Sequence, residues 1–111
     1  MAFSKNHPGD LELSQASHRA GAFVVTFYGV RGSIATPGPE TVEVGGNTSC
    51  VEIQCGDRHL VFDTGTGIRL LGQRLLRERK RVKMSVFYSH MHWDHVQGLP
   101  FFTPLYMPGT E

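Results

Sequence analysis

The chain has 111 residues, 40% hydrophobic and 19% charged, with 13 glycines, six prolines and a formal net charge of +1. That describes one ordinary domain at most, and a chain of this size buries somewhat under about 70% of its unfolded surface, so its core is modest. The longest apolar runs, such as residues 23–28, fall far short of the roughly 20 residues of a membrane span, and residues 1–20 carry no signal-like apolar block. The setting expected is therefore cytoplasmic, with no membrane partner.

Residues 1–20 mix Ser, Asn, His, Gly, Asp and Gln without sustained periodicity. They read as a flexible N-terminal extension, with one helical turn expected near residues 11–16. Residues 21–111 form the remaining unit. In it, residues 23–28 are β-branched or aromatic and bounded by Gly29 and Gly32, which predicts a strand. Residues 31–47 hold Pro37, Gly38, Pro39, Gly45 and Gly46 and read as a surface loop. Two short apolar runs follow, 49–54 and 59–63, joined by Cys55-Gly56-Asp57-Arg58 as a turn, which predicts a β-hairpin.

After Asp63 the glycines Gly65 and Gly67 permit unusual backbone angles, and Thr66 is placed to cap a helix. Ile68, Leu71, Leu75 and Leu76 then recur at i, i+3, i+7 and i+8, one face of a helix. Between Arg69 and Lys83 lie seven basic residues and one acidic one. This local charge reads as a solvated outer helix face; the alternative, a phosphate-tracking surface for nucleic acid, lacks interleaved aromatics. Residues 82–89 return to strand composition. The cysteines, Cys50 and Cys55, lie about 16 Å apart along an extended strand, too far for a disulfide, and read as reduced packing residues, with a C-x4-C metal pair as the lesser reading.

Three of the six histidines fall in His90-Met91-His92-Trp93-Asp94-His95. At the end of a strand, positions i and i+2 point to one side, so His90 and His92 can address a single ion. Asp94 and His95, half a turn on, offer a carboxylate and an imidazole to a second. Imidazole with carboxylate suits zinc first, then iron or manganese. A packed polar loop is the bland alternative, and four donors in the order H-x-H-x-D-H weigh against it. His7, His18 and His59 are isolated and read as structural or solvent-facing.

The segments FYGVRGS, GGNTSC, LVFDTGTG and SHMHWDHVQGLPFF, in this order, resemble the amino-terminal half of the metallo-β-lactamase-fold hydrolases, over residues 23–107. The H-x-H-x-D-H motif marks the superfamily; GVRGS and GGNTSC resemble its phosphodiesterase-like and tRNA 3′-processing-like branch. The resemblance implies an α/β (α+β) fold: part of an αββα sandwich, mainly one sheet with one flanking amphipathic helix. It implies that His90 and His92 bind one metal and Asp94 and His95 another, with two Zn2+ ions in the complete family site and Mn2+ or Fe2+ as alternatives. It assigns Asp63 to orienting ligands rather than touching substrate. Asn47, Thr48 and Ser49 look like hydrogen-bonding residues that stabilise the loop.

The chemistry implied is metal-assisted hydrolysis of a phosphodiester, in a small molecule or a nucleotide, by a metal-activated hydroxide at a dinuclear site, with Asp94 accepting a hydrogen bond from the nucleophile. The family completes its site with later ligands, a histidine, a bridging aspartate and a further histidine. After His95 this sequence has no histidine and Glu111 as its sole carboxylate side chain. The expectation is thus a truncated reading frame or an amino-terminal piece of a longer hydrolase, inactive alone, with one sheet face and Leu99, Phe101, Phe102, Leu105, Tyr106 and Met107 largely exposed. Such a surface predicts self-association or a complementing chain. The alternative reading is a non-catalytic metal-binding or interaction fragment that needs a partner to complete its fold.

Overall fold

A computed structural model describes residues 22–79 and 81–110. The extension read at residues 1–20, its helical turn, His7 and His18 all lie outside the described residues. Four strands form one sheet in the order β1-β2-β3-β4. They are β1 (Phe23–Gly29), β2 (Cys50–Cys55), β3 (Arg58–Phe62) and β4 (Met84–Phe87). The pairs β1/β2 and β2/β3 are antiparallel, while β3 and β4 are parallel. A parallel pair requires a crossover, and helix α1 (Ile68–Glu78) supplies it. A short helix α2 (Trp93–Val96) and two 3-10 turns, Leu99–Phe101 and Thr103–Tyr106, follow β4.

The hairpin forms where its composition predicts, but its turn is tighter: Gly56 and Asp57 alone leave the ladder, with Gly56 at a φ of 60°. Strand pairing decides which residues share a face. Val24, Gln54, His59 and Met84 lie in register on one side with Thr26, Glu52 and Val61. Phe23, Val25, Phe27, Val51, Ile53, Leu60, Phe62 and Phe87 take the other.

Helix α1 covers the first face. Ile68, Leu71 and Leu75 are buried with Cys50, Val61 and Phe102, and Tyr28, Val82 and Met84 pack against that cluster. Two details of the helix differ from expectation. Leu76, on the margin of the apolar stripe, stays partly exposed. Thr66 does not cap the helix: Gly67 is the N-cap and no side chain caps it, because the Thr66 hydroxyl is turned to Asn47 and the Thr48 amide instead. At the other end Arg79 adopts a left-handed conformation and its amide bonds to the carbonyls of Leu75 and Leu76.

Phe102 is buried and Leu99 half-buried, contrary to the exposed tail expected. Gly72 explains the burial of Phe102: a Cβ there would stand 3.1 Å from both Phe102 and Pro104, so the missing side chain lets the 3-10 turns lie directly on α1. Phe101, Leu105, Tyr106 and Met107 do remain exposed. The cysteines part company, since an odd separation along a strand changes face: both are free thiols, Cys50 buried and Cys55 exposed, so Cys55 is not a packing residue. Burial pushes the Cys50 thiol up to about 12, aided by the nearby carboxylates of Glu52 and Asp63.

Not all of the basic helix faces solvent. Arg74 turns onto the sheet, where its Nη2 donates at 2.8 Å to both oxygens of Glu52, a residue only 1% exposed. His59 Nδ1 bonds Glu52 at 2.8 Å and the Tyr28 hydroxyl donates to it at 3.3 Å. Burial alone would push the Glu52 carboxyl up; the bonds and charges of His59 and Arg74 outweigh it and hold it below the usual carboxylate range. His59 is therefore structural. Among the described residues, no helix is long and apolar enough to cross a membrane.

Candidate metal centre

The candidate residues lie at the carboxyl ends of the parallel strands β3 and β4, where three loops meet. The chain leaves β3 at Asp63, whose φ of 63° places it in the left-handed region that non-glycine residues visit at a cost. That turn aims the carboxylate along the end of the sheet. Oδ1 accepts the Ser89 amide at 2.8 Å. Oδ2 accepts the Ser89 hydroxyl at 2.7 Å, His95 Nδ1 at 2.8 Å and the Ser49 hydroxyl at 3.3 Å. Burial pushes this carboxyl up, but the bonds from His95 and Ser89 prevail and hold it below its ordinary value. Asp63 is 4% exposed and ionised, hence an acceptor only, so His95 must carry its hydrogen on Nδ1.

With Nδ1 committed, His95 presents Nε2, and Asp94 Oδ2 stands 3.3 Å from it. Asp94 is itself held from across the fold: the Ser33 amide donates to Oδ2 at 3.0 Å. That bond, from a loop residue at a φ of 70°, is the main reason the Asp94 carboxyl sits below its ordinary value; partial burial opposes it and the charges of His95 and His90 assist. The imidazoles are neighbours. The His90 ring centroid is 4.0 Å from that of His95 and 4.5 Å from that of His92. His92 stands at the N-cap of α2, which carries Asp94 and His95 on its single turn.

Beneath the cluster, loop backbones interlock. Thr64 donates to the His95 carbonyl and Gly98 to the Thr64 carbonyl, each at 2.8 Å. A Cβ on Gly65 would lie 2.5 Å from the Asp94 carbonyl and from Thr48 Oγ1, so only glycine permits this approach. The Thr48 and Thr66 amides each donate to the other's hydroxyl at 2.8 Å, and Thr66 donates to Asn47 Oδ1 at 3.1 Å. The 31–47 loop is pinned at its base by the Arg31 amide on the Asn47 carbonyl at 3.0 Å.

The structure thus brings His90, His92, Asp94, His95 and Asp63 into one cluster. Ser33 and Ser89 are the residues that motif reading passed over. Ser89 could have been found from its place next to His90. Ser33 has no local signal, since its partner is 61 positions away. The donor set suits a divalent cation in kind: three imidazoles and a carboxylate, one imidazole held through Nδ1 by a second carboxylate. Among the described residues, no group of three or more His, Cys, Asp or Glu side chains converges in a geometry that could hold an ion.

No curated protein matches the sequence. A solved structure at 2.10 Å resolution from Thermotoga maritima, provisionally described as a metallo-beta-lactamase, is similar at 17% identity with a TM-score of 0.46, over 72% of this chain and 39% of that one. This chain therefore spans well under half the length of that protein. Residues 44–110, more than half of the chain, match the metallo-beta-lactamase superfamily. The chain belongs to the metallo-beta-lactamase superfamily.

Proposed function

We propose that this chain carries part of the active site of a metal-dependent hydrolase acting on phosphodiester bonds. The observation that supports this most directly is the packing of the His90, His92 and His95 rings, with the Asp94 carboxylate 3.3 Å from His95 Nε2. His90 and His92 would hold one divalent cation and Asp94 and His95 another, with Zn2+ favoured over Mn2+ or Fe2+. Such cations, when bound, supply a water ionised near neutral pH and offset charge on the attacked phosphate.

The chain's own residues do the positioning. Asp63 fixes the tautomer of His95, the Ser33 amide fixes the orientation of Asp94, and Asp94 accepts a hydrogen bond from the attacking water. Trp93, 81% exposed, and Met91 flank the ligands and offer an apolar surface to an aryl or nucleoside group of the substrate. The preference for phosphodiesters rests on GVRGS and GGNTSC, which resemble the phosphodiesterase-like and tRNA 3′-processing-like branch.

The chain with Zn2+ or Mn2+ added, alone and after co-expression with a complementing chain, is to be assayed on a chromogenic phosphodiester beside His92→Ala. Turnover that needs metal and vanishes in the variant supports the reading. Metal-dependent turnover that survives the substitution contradicts it.

A second reading is favoured by the sheet face opposite α1, which no helix covers among the described residues and where Phe23 and Phe27 are 65% and 67% exposed and Phe62 stacks on Phe87 with centroids 5.4 Å apart. In this reading the chain is an interaction module whose apolar face is covered by another copy or a complementing chain. Sedimentation velocity distinguishes it: association that Phe27→Lys abolishes supports it, and a monomer at all concentrations argues against self-association.

A further inference from the structure

We propose that Ser89 is a positioning residue for His90, its hydroxyl linking that imidazole to Asp63 so that one carboxylate fixes the tautomers of two candidate ligands. The inference deepens the reading above and rests on it for the role of the two histidines. Its geometry stands independently.

The Ser89 hydroxyl has three neighbours: Asp63 Oδ2 at 2.7 Å, His90 Nδ1 at 3.0 Å and His95 Nδ1 at 3.3 Å. It has a single hydrogen to give. A carboxylate is the stronger acceptor, and the Asp63 contact is the shortest, so the hydrogen goes to Asp63. Only the oxygen's lone pairs remain for the imidazoles. His90 can engage them solely as a donor, with its hydrogen on Nδ1, which leaves Nε2 with a free lone pair. That is the form an imidazole must take to bind a cation through Nε2.

His95 reaches the same tautomer directly, through its own 2.8 Å bond to Asp63. Asp63 therefore acts on His95 at first hand and on His90 through one intervening hydroxyl. The relay is held firmly, because the Ser89 amide also bonds Asp63, at 2.8 Å to Oδ1. Backbone and side chain of Ser89 grip both oxygens of one buried carboxylate, so the hydroxyl cannot swing away without breaking a charge-assisted bond. An alanine here would keep the amide contact and lose the relay, whereas a threonine would keep both. His92 touches His90 edge to face and has no hydrogen bond to its ring among the described residues, which makes it an internal control.

The test is a long-range 1H–15N correlation spectrum of the full 111-residue chain, 15N-labelled and stripped of metal, whose cross-peak pattern separates the two neutral tautomers from each other and from the imidazolium. His90 and His95 are both expected as the Nδ1–H tautomer. In Ser89→Ala, His90 is expected to move toward the Nε2–H form while His95 stays, and Ser89→Thr restores His90. Zn2+ affinity, measured alongside, is expected to fall about 10- to 100-fold in Ser89→Ala and to recover in Ser89→Thr. His90 found as Nε2–H in the unmodified chain overturns the proposal, as does a His90 signal unchanged in Ser89→Ala. The unmodified chain decides the matter if the alanine variant does not fold. Nδ1–H at His90 without Zn2+ uptake upholds the relay and sinks the metal reading; Zn2+ uptake with His90 as Nε2–H does the reverse.

Discussion

Replacing Asp63 by asparagine isolates what its charge does at the junction of β3, β4 and α2. Asparagine has the same shape and tolerates a φ of 63°, so backbone strain is not the variable. The carboxylate accepts four hydrogen bonds at 4% exposure, and three of them, from the Ser89 amide, the Ser89 hydroxyl and His95 Nδ1, measure 2.7 to 2.8 Å. An amide has one acceptor oxygen. With its nitrogen at the Oδ1 position it opposes the Ser89 N–H, donor against donor; at the Oδ2 position it opposes the His95 donor and forces that ring into the other tautomer.

Either way at least one bond to a charged acceptor is lost, roughly 1.5–3 kcal/mol, and one buried donor is left unsatisfied, roughly 1–3 kcal/mol. Asp63→Asn is therefore expected to lower the unfolding free energy by about 3 kcal/mol. That is a large share of the roughly 5–15 kcal/mol typical of a domain. Urea denaturation followed by circular dichroism measures it as a fall in midpoint at constant slope. A loss under about 1 kcal/mol would refute the claim that these bonds act on an ionised, water-excluded carboxylate.

Two further outcomes follow from the burial of charge and thiol. Glu52 and Asp63 both have carboxyls held below their ordinary values, so each binds its proton less readily folded than unfolded. Their stabilisation is complete above the unfolded carboxylate range of about 4 to 4.5 and is lost as pH falls through the lower folded values. Urea midpoints should fall as pH drops below about 4, with a shallower fall in Glu52→Gln; a midpoint that holds steady there contradicts this. Ellman's reagent should label one thiol quickly, the exposed Cys55, and Cys50 only on unfolding; rapid reaction of both in native buffer would show that Cys50 is not in the core.

The elements were legible because their residues carry local signals. β-branched and aromatic runs marked β1 and the hairpin, and the 3.6-residue recurrence of Ile68, Leu71 and Leu75 marked α1 and its buried face. The candidate donors stood out for the same reason, being crowded into six positions. What escaped was set by contacts between distant parts of the chain. Phe102 looked like tail until Gly72 made room for it on α1. Arg74 looked like one more solvated cation, yet its partner Glu52 lies 22 positions away on the covered face of the sheet. Ser33 reaches Asp94 through a backbone amide, a group every residue but proline has and to which no side-chain pattern points.

The central claim is that His90, His92, Asp94 and His95 take up divalent cations, and equilibrium dialysis with elemental analysis of the chain against Zn2+ tests it most directly. The account predicts bound zinc that is lost when His92 and His95 are both changed to alanine. A chain that takes up no zinc, or takes it up equally after that double substitution, would contradict it.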